Sequence, residues 1–105
     1  MSIIVTTSDS IDGKVIKNYL GIVKGIIVRA PTLTQGLMGG LKSIVGGQIG
    51  AYTQMCEHAR EEAYQLMVEH AQQLGASAII AMRYDTAELG AAGTEVLCYG
   101  TAVIV

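Results

Sequence analysis

Apolar residues along this chain follow the spacing of strands in four places and that of helices in two. Strands are predicted at the start of the chain and over residues 15–29, 77–85 and 95–105. Asp12-Gly13 marks a turn after the opening strand. Gly21 and Gly25 interrupt the Ile- and Val-rich second strand, where we expect bends or bulges.

Two helices are predicted between the second and third strands. Thr32 and Gln35 have capping-box spacing, and leucines recur at helical intervals over 33–45, which predicts a short helix there. A longer helix is predicted from about residue 52 to 74, stopped by Gly75. Its expected buried stripe consists of Tyr52, Met55, Cys56, Ala59, Ala63, Leu66, Met67, Ala71 and Leu74.

The resulting order is β-β-α-α-β-β over a single domain, residues 1–105. Because the helices form one block rather than alternating with the strands, the expected fold class is α+β with a mainly antiparallel sheet covered on one face by helices.

The strands are apolar on both alternating sets of positions. In an antiparallel sheet with one solvated face, every second residue should be polar. Instead, one set of the second strand includes Ile22 and Ile26 and the other Val23 and Ile27, and residues 95–105 behave similarly. Two helices can cover only one sheet face, so the other face requires a second copy of the chain. We therefore predict a ring-like homo-oligomer, with an unusually apolar monomer as the alternative.

Composition narrows the classes of partner. Half of the 105 residues are hydrophobic, 15% are charged and the net charge is -2, which excludes a broadly basic nucleic-acid surface. No segment reaches the ~18 uninterrupted apolar residues that a membrane span requires. The first residues lack the pattern of a signal peptide, so we expect a cytoplasmic protein with reduced thiols.

Charge is unevenly distributed along the chain. Residues 13–56 contain five basic residues and no acid, whereas residues 57–105 contain seven acids and two arginines. Two interpretations remain open: pairing between neighbouring elements of one chain, and complementary edges that meet between subunits.

Soft-metal ligands are few and dispersed. The candidates are Cys56, Cys98, His58 and His70. Cys56 and His58 differ by about 200° around the predicted helix, and Cys56 and His70 are about 21 Å apart along it, so neither pair fits one mononuclear site. In a ring, however, each ligand recurs in every subunit, and a soft divalent or monovalent ion could be shared between copies.

Catalytic arrangements are not recognisable in the sequence. It contains no Ser-His-Asp order and no Gly-x-Ser-x-Gly elbow, so we expect a non-enzymatic protein. A crevice between subunits lined by Tyr52, Arg60, Tyr84 and Asp85 is an alternative site, for a small molecule or for catalysis.

Several fragments in order resemble one family over essentially the whole chain. They are Gly13-Lys14, residues 19–25, Gly46-Gly47, Gly50-Ala51-Tyr52, Ala59-Arg60, Leu74-Gly75-Ala76, Tyr84-Asp85 and Gly100-Thr101-Ala102-Val103. Together they are similar to the bacterial YbjQ-like family of heavy-metal-binding proteins. The resemblance implies an α+β subunit that assembles as a homopentamer.

Two positions depart from the family pattern. Many members have Arg after the Gly-Gly pair and an acid after the Tyr, whereas this chain has Gln48 and Thr53. If those residues form the family's site, this protein uses other ligands or lacks part of it. Three functions remain open: a ring that binds soft metal at subunit interfaces, a small-molecule-binding or catalytic ring, and a structural interaction module.

Overall fold

The computed structural model describes residues 2–29, 47–90 and 93–105. These ranges contain β1 (Ile4–Val5), β2 (Asn18–Arg29), α1 (Gly47–Gln73), β3 (Ala78–Glu88) and β4 (Thr94–Ile104). The fold is α+β, with one helix against a four-stranded sheet. The short helix predicted over 33–45 lies outside the described residues.

The sheet has the strand order β1-β3-β4-β2. β3 and β2 both pair antiparallel with β4, and the short β1 pairs parallel with β3. The sheet is therefore mixed, with antiparallel pairing along its long strands as the sequence predicts. No helix in the described ranges has the length and apolarity required to cross a bilayer.

The two glycines of β2 have different roles. Register against β4 shifts between Tyr19 and Gly21, and Gly21 has a φ of 106°, so the predicted bulge at this position is confirmed. The prediction of a bend or bulge at Gly25 is wrong, because the register runs through it unbroken. Gly25 is instead the point where α1 comes closest to the sheet, since a Cβ there would collide with the backbone of Ala63 and Met67.

A second bulge lies in β3. Its register against β4 shifts between Ile80 and Arg83, and Ala81 takes a left-handed φ of 55°. The N-terminal segment binds β3 here: the Ala81 amide donates to the Ser8 carbonyl at 2.8 Å and the Met82 amide to the Thr6 carbonyl at 3.0 Å. The bulge therefore lies where the N-terminal segment stops following β3.

Helix α1 ends as predicted. It terminates at Gln73, and Gly75 adopts a φ of 80°. The Ala76 amide then donates to the Ala71 carbonyl at 3.0 Å, which closes the last turn. The start differs, because the helix begins at Gly47 rather than near residue 52.

The buried stripe of α1 is narrower than predicted. Ala59, Ala63, Met67 and Ala71 are buried, at a strict four-residue spacing. The prediction of burial is wrong for the other described members of the stripe, which are exposed: Met55, Cys56, Leu66 and Leu74. The three alanines let the helix backbone approach the sheet closely, so only one row of side chains lies between them.

The main core lies between α1 and the sheet. Its largest fully buried side chains are Met67, Ile79, Val23 and Cys98. A smaller cluster lies on the opposite sheet face, where Ile11 and Ile16 pack against Ala78, Ile80 and Val103. The segment after β1 thus covers one end of that second face.

Beyond this cluster, the second face carries large apolar side chains that no described element covers. We call Ile22, Ile26, Val28, Leu97 and Tyr99 the open-face patch; all five project opposite the helix, as the β2-β4 register requires. Ile22, Val28 and Ile26 are 73%, 50% and 43% exposed. The Cα radius of gyration is 16.9 Å, whereas a compact chain of this length has about 13 Å.

Candidate functional site

Cys98 lies at the centre of the core, beside a second soft sulfur atom. Its thiol donates to the Met67 thioether, with Sγ 3.6 Å from Sδ, and its side chain is fully buried. Burial raises the pKa of the Cys98 thiol to about 11. The thiolate, the form that binds metal, is therefore disfavoured at neutral pH.

Cys56 and His58 lie instead on the exposed surface of α1. Cys56 is a free, exposed thiol. His58 Nε2 lies 3.0 Å from Glu62 Oε1, one helical turn away. The same carboxylate oxygen is shielded from solvent and forms an ion pair with Arg29 at the end of β2. This ion pair joins the basic first half of the sequence to the acidic second half within one chain.

His70 occupies a third location, at the edge of the sheet. Its Nδ1 accepts a hydrogen bond from the Lys24 backbone amide, with N and Nδ1 3.3 Å apart. Nδ1 must therefore carry a lone pair, and it already satisfies a backbone donor of an edge strand.

The four predicted metal ligands thus occupy different environments. Two are on the exposed surface of α1, one is in the core and one is at the β2 edge. Within residues 2–29, 47–90 and 93–105, no three His, Cys, Asp or Glu side chains are arranged to hold a metal ion. A metal site that uses these ligands would have to be completed by another copy, and this remains a prediction.

The predicted crevice residues are brought together only in part. The Arg60 guanidinium lies over the Tyr84 ring, 5.6 Å from its centroid, within cation-π range. Asp85 follows Tyr84 on the strand and faces the other side of the sheet, since its neighbour on β4 is Leu97. The side chain of Tyr52 lies outside the described part of the chain.

Tyr84 has a perturbed environment. Burial raises the pKa of Tyr84 above its usual 10.0, and the neighbouring Cys98, Glu61 and Tyr64 raise it further, while Arg60 lowers it. Because the side chain is still 40% exposed, the phenol can reach solvent. It is held in its neutral, hydrogen-bonding form beside a cation.

The sequence predicts neither Met67 as a sulfur partner of Cys98 nor Glu62 as the partner of Arg29. Met67 belongs to the predicted buried stripe, but nothing in the sequence pairs it with Cys98, 31 residues away. For Glu62 the signal was the i,i+4 spacing from His58. Its contact with Arg29 depends on where α1 crosses β2.

Known proteins resemble this chain over its whole length. Residues 3–105 match the sequence profile of a YbjQ family described as "Putative heavy-metal-binding". The chain belongs to this family. A UPF0145 protein from Legionella pneumophila strain Lens is 76% identical over 105 residues, covering all of both chains. A UPF0145 protein from Francisella philomiragia is 54% identical over 104 residues, 97% of this chain and 98% of its own.

A solved structure also resembles this YbjQ-family chain. It is a protein of unknown function of the DUF74 family from Pediococcus pentosaceus, with a TM-score of 0.64 and 20% sequence identity. The match covers 100% of this chain and 99% of that one. At this identity the likeness establishes the α+β fold, with its four-stranded sheet and helix, and nothing about ligands.

Proposed function

We propose that the protein works as a homo-oligomer, a pentameric ring, that binds a soft metal ion where subunits meet. The observation that carries the oligomer is the open-face patch. Ile22, Ile26 and Val28 are each more than 40% exposed on one sheet face. Apolar surface of this kind is typical of a subunit contact. The subunit number of five rests on the family resemblance.

The metal part of the proposal rests on Cys56 and His58. Both are exposed on α1 but about 200° apart around the helix, so Cys56 of one copy would have to meet His58 of another copy. A thiolate and an imidazole are the donors that soft and borderline metals prefer. Cys98 is a weaker candidate, because it is fully buried and its pKa is about 11.

Native mass spectrometry of the purified protein tests both parts. The expected spectrum is a closed oligomer that takes up Cd²⁺ or Cu⁺ in a fixed ratio to subunits. Cys56→Ser should abolish this uptake, whereas the matched variant Cys98→Ala should retain it. An 11.0 kDa species at micromolar concentration would contradict the ring. Equal uptake by the wild type and Cys56→Ser would contradict the site.

A second candidate function uses the Arg60-Tyr84 contact. Stacking on the ring holds the guanidinium in place while leaving its N-H groups available to an anionic small molecule. The test is to measure the melting temperature of the protein without ligand and with inorganic phosphate or a dicarboxylate at concentrations raised in 10-fold steps. Stabilisation that is lost in Arg60→Ala but kept in Arg83→Ala would favour this function, and no stabilisation by either ligand would oppose it.

A further inference from the structure

The sheet has two long edges to which no described strand is bound. One is β2, over its whole length from Asn18 to Arg29, because β2 pairs only with β4. The other is the second half of β3. β1 and the residues that follow it bind β3 only as far as Met82. On the side away from β4, residues 83–88 therefore have no strand partner in the described ranges. An open edge presents unpaired backbone N–H and C=O groups that can pair with a strand of another chain.

The two edges carry opposite charge on the same sheet face. Lys24 lies in the middle of β2 opposite Tyr99, and Asp85 lies in the middle of residues 83–88 opposite Leu97. Tyr99 and Leu97 are two residues apart on β4, so all four side chains project from the face of the open-face patch.

Asp85 is the available charge on this face of its edge, since Glu88 projects to the opposite face. The neighbouring Arg83 directs its Nη1 towards the carbonyls of Thr7 and Met82, at 2.9 and 2.8 Å. Asp85 Oδ1 accepts the Thr86 amide at 2.8 Å, which holds the carboxylate at the strand edge. The side chain therefore presents a positioned anion to whatever approaches residues 83–88.

We propose that the β2 edge of one copy lies alongside residues 83–88 of β3 of the next copy, with Lys24 paired to Asp85 across this interface. One chain supplies both complementary edges, so the occupant of each edge is a second copy. The contact is heterologous, since two different edges meet. Such contacts give rings when the rotation between copies closes and open filaments when it does not, rather than two-fold dimers. This inference rests on the proposed oligomer and specifies its interface.

This interface also covers part of the open-face patch. Ile22 and Ile26 flank Lys24 on the same face, and a strand laid beside β2 would place its side chains next to them. His70 already accepts the Lys24 amide, so backbone contacts between copies lie on either side of that residue. Apolar contact then supplies affinity, and the ion pair selects which edges meet.

Charge reversal tests the pairing. We expect Lys24→Glu and Asp85→Lys each to raise the concentration at which the oligomer dissociates by at least tenfold, measured by light scattering at low salt. The double variant should restore assembly to within about threefold of the wild type. Glu69→Lys, a reversal on the exposed surface of α1, is the control and should leave assembly unchanged. Circular dichroism checks that each variant is folded.

Cross-linking provides a second measurement that does not depend on dissociation. In a Cys56→Ala background, the combination Lys24→Cys and Asp85→Cys should form disulfides between subunits on mild oxidation, and give a ladder of covalent multimers. Each single substitution should give none.

The outcomes separate this inference from the proposed function. A wild type that assembles, without rescue by the double variant and without a ladder, would overturn the edge pairing and leave the oligomer intact. Covalent dimers from Lys24→Cys alone would also overturn it, because they indicate a two-fold contact. A monomeric wild type would overturn both.

Discussion

The substitution Gly25→Ala tests how closely α1 packs on the sheet. A Cβ at this position would lie 2.7 Å from both Leu66 Cβ and Met67 N, and closer still to the Ala63 carbonyl oxygen. Ordinary contact begins near 3.4 Å, so in Gly25→Ala the helix must retreat by at least about 0.7 Å. Two of the three atoms are backbone, which cannot rotate away as a side chain can.

Overpacking a close-packed core costs about 1–3 kcal/mol, and a collision with helix backbone places Gly25→Ala at the upper end of that range, about 3 kcal/mol. That is a large share of the ~5–15 kcal/mol by which domains are stable. Gly13→Ala is the matched control: nothing lies within 4 Å of its Cβ position, and only its φ of 77° opposes a side chain. We expect the control to lose roughly 1 kcal/mol.

Urea unfolding followed by far-UV circular dichroism measures both losses. All variants must be compared at one protein concentration, because self-association contributes to the apparent free energy of unfolding. A loss in Gly25→Ala no greater than that in Gly13→Ala would refute the close approach of α1 to β2.

Three further predictions concern single residues. Because burial raises the pKa of Cys98 from 9.0 to about 11, the folded state keeps its proton longer than the unfolded state. The wild type should therefore lose stability relative to Cys98→Ala as pH rises from 9 to 11, by on the order of 2 kcal/mol, and parallel pH profiles would contradict this. His70→Ala removes the acceptor of the Lys24 amide, so hydrogen exchange at Lys24 should accelerate about tenfold, whereas the amides of β4 should keep their exchange rates. Unchanged exchange at Lys24 would show that this hydrogen bond does not protect the amide. Ala81 has a φ of 55°, so Ala81→Val should be less stable than Ala81→Gly by roughly 1–2 kcal/mol, and equal melting temperatures would be inconsistent with a left-handed residue there.

Local features of the fold were predictable from short stretches of sequence. The end of α1 follows from Gly75, the bulge of β2 follows from Gly21, and the strand spans are close to those of the apolar runs. Each of these features depends on the backbone preferences of a few neighbouring residues and not on contacts with residues far away in the chain.

Features that join distant elements were not predictable in the same way. The sequence predicts a bend or bulge at Gly25, because the role of a glycine in a strand is ambiguous until the element packed above it is known. Leu66 and Leu74 were expected to be buried, but a helix that rests on alanines presents only one row of residues to the sheet. The width of the buried stripe depends on how closely the helix approaches the sheet, which periodicity does not encode.

For the candidate site, too, the residue types were predictable and the contacts between them were not. The sequence alone identifies the candidate soft ligands, the candidates Arg60 and Tyr84, and the excess of apolar strand surface. Only the tertiary structure decided that Cys98 lies against Met67 in the core, that Arg60 stacks on Tyr84, and that Asp85 faces away from both. The physical reason is that residue type and spacing specify local conformation and the need for burial, whereas the atoms that meet are chosen by the packing of a helix and strands far apart in the chain.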